Sequence, residues 1–279
     1  MTALAGTPPA LFTSLGDDIV MATDLARGPW GPSSLHGGPV AALIARAVEH
    51  VRARDASDDV DWFVSRLTVE LERPVPLEPL RVDAAVTRPG RKVSIVEVAV
   101  ALADGARVLA RARALRIRRA GVPLPDDPEL AAMLGIDPPP PGPAMGRVGD
   151  IVATDYVAFH HSSVEHRFVR EASTTVGPLV DWIRMTVPLI EGEELSPLQR
   201  VAGAADFANG ISHVLPFETH LFVNPDLTVH LFREPRGEWI GMDSATHHSP
   251  HGIGMTDTAL FDVDGRIGHS NQSLLLDTR

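Results

Sequence analysis

The sequence predicts an α+β chain in which one unit, a long helix wrapped by antiparallel strands, occurs twice. Three observations predict it. Residues 36–53, HGGPVAALIARAVEHVRA, place Val40, Leu43, Ile44, Ala47, Val48 and Val51 at helical spacing. Residues 62–119 break into four alternating or β-branched runs, separated by turn signals such as Arg88-Pro89-Gly90 and Asp104-Gly105. A constant offset of 160 residues then carries the first half onto the second.

The offset maps Leu67-Thr68-Val69 onto Leu227-Thr228-Val229, Leu71 onto Leu231, Arg73 onto Arg233, Asp83 onto Asp243, and Asp104-Gly105 onto Asp264-Gly265. It also maps the helix at 36–53 onto 196–213, SPLQRVAGAADFANGISH, without a gap. The first helix begins at Gly37-Gly38-Pro39, where proline is tolerated; the second has Ser196 as N-cap and Pro197 in its first turn. The strands of the first half read WFVSRLTVELERP, LRVDAAVTRPG, KVSIVEVAVALADG and RVLARARALRIRR. Between the halves, Pro138 to Pro141 and Gly142-Pro143 exclude regular structure, so residues 120–150 read as an extended linker. Another strand region follows, from Glu165 to Val187. The domains are therefore 1–119, a proline-rich linker at 120–150, and 151–279. A helix wrapped by an antiparallel sheet is the hotdog arrangement. Two in tandem form a double hotdog, whose sheets pair into one continuous layer.

Composition narrows the function. With 44% hydrophobic and 22% charged residues, the 279-residue chain can bury a sizeable core. A net charge of −11 argues against nucleic acid and against anionic lipid as partners. Cysteine is absent, which removes disulfides, thiol nucleophiles and Cys-ligated zinc. The N-terminus has no basic stretch and carries Pro8-Pro9, and apolar runs such as Val40 to Ile44 fall far short of the ~20 residues of a membrane helix. A cytoplasmic protein is the expectation. Lys92 is the single lysine, so no P-loop exists, and neither GxGxxG nor GxSxG occurs.

The halves differ in an informative way. At the 160-residue offset Asp226 faces Arg66, Gln272 faces Ala112 and Thr246 faces Val86. The second half thus holds polar groups where the first holds apolar or different ones. Two of them have a plain structural explanation: Asp226 follows Asn224-Pro225 as a turn residue would, and Gln272 suits a solvent-facing strand position. Together they point to a site in the second half, because buried polar groups need partners.

The segments NPDLTVHLFREPRGEW, MDSAT and VDGRIGHSNQSLLL, with HGGPVAALIARA and RPGRKVSIVEV in the first half, resemble the acyl-CoA thioesterase II family and its actinobacterial relatives. The resemblance covers residues 25 to 279 apart from the linker. It implies the double hotdog fold, hydrolysis of acyl-CoA, and a trio of Asp, Ser/Thr and Gln that holds a water. By motif the trio is Asp226, Thr246 and Gln272, with Ser244 as rival for the hydroxyl. One departure is Leu227, where the enterobacterial form has histidine after the catalytic Asp.

The chemistry suits such a trio. A carboxylate accepts the proton of the attacking water, a hydroxyl and an amide orient it, and a helix N-terminus stabilises the oxyanion. Gly37-Gly38 allows close approach to that helix end, and His36 beside them is a substrate-contact candidate. No metal or cofactor is required. The partner is the acyl-CoA substrate; a homo-oligomer is left open.

Rival residues remain. Asp206, in GAADFANG, competes as the catalytic carboxylate, with Asn209 nearby. His247, His248 and His251 read as a solvated turn rather than a metal site, as do His160-His161. Arg111, Arg113, Arg116, Arg118 and Arg119 read as a solvated strand face, or as contacts to the phosphates of coenzyme A. Two other functions compete: a silent acyl-CoA or lipid binder, and a hotdog dehydratase or hydratase. The latter wants a histidine and an acid in one site, and no segment pairs them.

Overall fold

The computed structural model describes residues 9–16, 18–51, 60–123, 125–133, 136–149, 151–152, 154–169 and 176–279. The first half opens with the hairpin β1 (Phe12–Gly16) and β2 (Ile19–Ala22), then the small pair β3 (Arg27–Gly28) and β4 (Gly31–Leu35). Helix α1 (Gly37–His50) follows, with Val40, Leu43, Ile44 and Val48 buried as their spacing predicts. Residues 52 and 53 of the expected helix lie outside the described residues. The four expected strands are β5 (Trp62–Leu71), β6 (Pro79–Arg88), β7 (Val93–Leu102) and β8 (Val108–Arg118).

Between the halves lie α2 (Pro128–Met133) and β9 (Arg147–Val148). The segment read as an extended linker is thus partly regular. It is also tethered to the second half. Trp182 Nε1 donates to the Pro141 carbonyl at 2.9 Å, and Arg266 N–H to the Asp137 carbonyl at 2.9 Å.

The second half contains α3 (Phe159–Ser162), β10 (Val164–Phe168), β11 (Leu179–Met185), α4 (Pro197–Ala205), α5 (Ala208–Ile211), β12 (His220–Val223), β13 (Asp226–Leu231), β14 (Ile240–Ser249), β15 (Ile253–Asp262) and β16 (Gly265–Thr278). The single helix expected over 196–213 is two helices broken at Asp206-Phe207. Phe207 N–H bonds to the Ala204 carbonyl three residues back, a tightened turn at 3.0 Å.

All strands except β3 and β4 join one 14-stranded sheet in the order β1-β2-β6-β7-β8-β5-β13-β16-β15-β14-β11-β10-β9, with β12 on β16. The halves fuse where β5 pairs antiparallel with β13. There Thr68 stands opposite Thr228, with hydroxyls 3.3 Å apart, while Leu67 faces Val229 and Val69 faces Leu227. Each of the two threonines therefore meets its own repeat counterpart, and a local twofold passes through the pair. This is a double hotdog.

Helices α1 and α4 run antiparallel, since His36 meets Asp206 at one end and Glu49 meets Ser196 at the other. Their close approach depends on glycine. A Cβ on Gly38 would lie 2.6 Å from the Gly203 carbonyl oxygen. The main core lies between these helices and the sheet.

The Asp-Gly turn of the second half is fixed by Arg233. Its Nη2 reaches Asp262 Oδ1 at 2.6 Å and the Gly265 carbonyl at 2.8 Å. The backbone N–H groups of Arg236 and Asp264 also donate to Asp262. Burial pushes the Asp262 carboxyl up, but Arg233 and these two N–H groups outweigh it and hold it below the ordinary range. Asp262→Asn is expected to lower stability by about 3 kcal/mol, because it removes one partner of a buried pair. Urea unfolding of both proteins checks this. A depressed folded pKa contributes stability above the unfolded value near 3.8, so the gap between wild type and variant should close as pH falls below it.

Candidate active site

A cavity of about 440 Å³ lies between the halves. One wall comes from β4 and the start of α1, with Trp30, Leu35, His36 and Gly37; the opposite wall carries Asp206, Phe207 and Asn224. The connection from β5 to β6 forms the rim, where Glu72, Arg73 and Pro74 are exposed.

Asp206 is the carboxylate of this cavity. It sits at the break between α4 and α5, is 5% exposed, and projects onto the first turn of α1. A Cβ on Gly37 would lie 2.6 Å from its Oδ1, so glycine there makes room for the carboxylate. His36 Nδ1 is 2.9 Å from Asp206 Oδ2, and Asn224 Nδ2 donates to Oδ1 at 2.9 Å. Gly38 N–H is also directed at this group, 3.0 Å from His36 Nδ1. One nitrogen cannot donate to Asp206 and accept from Gly38 at once. Beside an ionised carboxylate, the proton on Nδ1 satisfies both groups, and the Gly38 N–H then supports the acid. Burial alone would raise the Asp206 carboxyl; His36, Asn224 and Gly38 together hold it below the usual range. Phe159 and Phe207 flank the His36 ring, with centroids 5.3 and 4.6 Å away.

The trio expected from sequence is not assembled around one point. Asp226 opens β13 opposite Glu70, and its Oδ1 accepts from Ser273 N–H at 2.7 Å, tying β16. It does not line the cavity. Thr246 is buried, with its hydroxyl 2.6 Å from Ser212 Oγ and 2.9 Å from Thr256 Oγ1. Ser244, its rival, bonds Thr258 Oγ1 at 2.9 Å. Gln272 is 1% exposed and lies beneath the broken helix. Its Oε1 accepts from Asn209 N–H at 3.1 Å and its Nε2 donates to the Asp206 carbonyl at 3.3 Å. Gln272 therefore braces the turn that presents Asp206. Of the substrate-contact candidates, His36 and Gly37 line the cavity, whereas Gly38 packs on α4.

Asn224 went unnoticed as a site residue. The signal was the same asymmetry that singled out Gln272, because the offset places Asn224 opposite Val64 and Asp206 opposite Arg46. The absence of a segment pairing histidine with an acid also needs correction. His36 and Asp206 form such a pair across the two halves, 170 residues apart in sequence.

The remaining candidates have other roles. His247 and His248 occupy successive positions of β14, facing opposite sides, and His251 lies in the following turn. Among the described residues no group of three acidic or histidine side chains is placed to hold a metal. Arg111 and Arg113 pair with Glu72 and Glu97, Arg119 with Asp61 and Glu234, and Arg116 lies over Trp62 and donates to Ser94 Oγ. No described helix is long and apolar enough to cross a membrane.

The fold and the cavity define a double-hotdog protein with its acid at the junction of two units. The acyl-CoA thioesterase N-terminal domain family matches residues 26–117, and the acyl-CoA thioesterase C-terminal domain family matches residues 137–276. The chain belongs to the acyl-CoA thioesterase family. A candidate thioesterase from Novosphingobium aromaticivorans shares the fold at 21% identity, covering 96% of this chain and 98% of that one, with a TM-score of 0.70. A hotdog protein of unknown function from Alicyclobacillus acidocaldarius superposes with a TM-score of 0.68 at 14% identity, over 95% and 96% of the two chains. An acyl-CoA thioesterase II from Mycobacterium marinum gives 0.62 at 15%, over 96% of each. The chain matches no curated protein by sequence.

The Asn224 contact carries a test. Asn224→Leu is expected to raise the Asp206 carboxyl pKa, since it deletes one donor to the ionised form. Carbon-detected NMR titration of the aspartate carboxyls, with Asp206→Asn for assignment, measures it.

Proposed function

We propose that the protein hydrolyses acyl-CoA thioesters and that Asp206 is the general base. The observation carrying this reading is the placement of a buried carboxylate, held ionised, on the wall of the cavity at the N-terminus of α1. A water beside Asp206 attacks the thioester carbon and gives its proton to the carboxylate. The C–O bond forms as charge moves to the carbonyl oxygen, which faces the Gly37 N–H at the N-terminus of α1. Collapse of this intermediate breaks the C–S bond. The thiolate leaves and recovers the proton from Asp206. His36 and Asn224 fix the carboxylate, and Gln272 fixes the turn that carries it. Asp226 and Thr246 act in the frame of β13, β14 and β16.

A second reading has one specific observation behind it. The His36–Asp206 pair is what a hydratase needs to add water across an enoyl thioester. Supplying saturated and enoyl thioesters in parallel, and measuring free thiol against loss of the conjugated double bond, separates the two.

Asp206→Asn is expected to lower thiol release ~10²–10⁴-fold, the range for loss of a general base. Gln272→Ala should cost less, and Asp226→Asn should keep near wild-type turnover, with melting temperature as the folding control. Full activity in Asp206→Asn would overturn the assignment.

Gly37→Ala tests the same geometry sterically. Gly37 does not require a left-handed backbone, so the methyl fits the helix but collides with Asp206. Thiol release should fall sharply while α1 remains folded by circular dichroism.

A further inference from the structure

His160 is an unused polar group in this cavity. It sits in α3, is 1% exposed, and lines the cavity together with His36 and Asp206. Among the described residues, neither of its ring nitrogens has a hydrogen-bond partner. The Val152 carbonyl, which favours the charged ring, reaches hydrogen-bond geometry with neither nitrogen. The neighbouring histidines contrast with it. His161 Nε2 meets Thr154 Oγ1 at 2.8 Å, and His166 lies between Asp181 and the His160 carbonyl, with Nε2 3.1 Å from that oxygen. The Asp181–His166 pair therefore holds the backbone of His160 in place while its ring has no partner among the described residues.

An orphaned, buried imidazole is costly, and buried polar groups in native proteins find partners. Burial, with His36 and His161 nearby, holds the His160 pKa at about 3, so the ring is neutral. A neutral imidazole offers one donor and one acceptor. An apolar side chain would serve the cavity better if its occupant were purely hydrocarbon.

We propose that His160 is a specificity-determining residue that hydrogen-bonds an oxygen function, hydroxyl or keto, on the acyl chain of the thioester. This rests on the hydrolase reading above. Asp206 marks the thioester carbon. The charged nucleotide of coenzyme A stays at the exposed rim beside Glu72 and Arg73, so the group that reaches the fully buried wall at His160 is the acyl chain. A site built to bond a substrate hydroxyl discriminates against the analogue that lacks it, because the protein group is then left unpaired.

The test uses the full chain and two readouts. The first is kcat/KM for thiol release from hexanoyl-CoA, 3-hydroxyhexanoyl-CoA, 3-oxohexanoyl-CoA and 6-hydroxyhexanoyl-CoA. The second is calorimetric binding of the matching non-hydrolysable thioethers. Wild type is expected to favour at least one oxygenated chain by about tenfold or more over the saturated chain. His160→Phe should abolish that preference while leaving the saturated substrate as good or better, and His160→Gln should restore part of it. Equal handling of all four chains by wild type, or an unchanged preference in a folded His160→Phe, overturns the inference. A His160-dependent binding preference without thiol release supports the inference and overturns the hydrolase reading. Thiol release without any preference does the reverse.

Discussion

The structure depends on one register, in which Thr68 meets Thr228. A side chain that faces its own repeat counterpart defines a twofold axis, and that axis decides what every other pair of equivalent residues can touch. It lays α1 antiparallel to α4. Each helix N-terminus then lies beside the distal half of the other helix. Two related junctions follow, one at each end of the helix pair. Slipping the β5–β13 pairing by one residue would turn Leu67, Val69, Leu227 and Val229 away from the core, so hydrophobic burial locks the register that creates both junctions.

The two junctions have diverged into opposite chemistries. At one, His36 and Asp206 meet beside an open cavity. At the other, Ser196 replaces His36 and Arg46 replaces Asp206. There Arg46 is bound twice by Glu193, with contacts of 2.6 Å, and Glu49 accepts from Ser196 at 2.8 Å and Gln199 at 3.0 Å. Arg46 and Glu193 favour each other's charged forms. Burial lifts the Glu49 carboxyl despite its two donors. The first junction leaves a carboxylate facing a cavity; the second engages its charges across the helix pair.

The repeat was legible because burial constrains pattern. Helix periodicity, strand alternation and the Asp-Gly turns recur at a fixed offset, and those features survive low identity. The position of the acid was less legible. Asp226 stands out in sequence because it breaks a strand pattern, yet its carboxylate is used on the Ser273 N–H of the neighbouring strand. Asp206 is legible in sequence only as a rival carboxylate, because the helical period runs through it and its spacing does not set it above Asp226. What distinguishes it is the broken turn at Ala204–Phe207 and a histidine 170 residues away, and neither is visible in local spacing. Gln272 was found by asymmetry, although it supports the Asp206 turn from behind instead of facing the cavity.

Asymmetry between repeats therefore needs a further step before it reads as chemistry. A polar residue in one half and a residue of a different type in the other says only that the environments differ. Asp226, Thr246, Gln272, Asn224 and Asp206 all pass that test, but only Asp206 and Asn224 among them reach the cavity. The useful comparison is between junctions, not single positions. Residues paired across the axis share one environment, so His36 must be read with Asp206 and Ser196 with Arg46. One junction has an acid beside a helix N-terminus, where the His36 imidazole, the Asn224 amide and the Gly38 N–H keep it ionised. The other has an arginine in the acid's place, neutralised by Glu193. Duplication within one chain makes this division possible, because a symmetric dimer of identical units would carry the same residues at both ends.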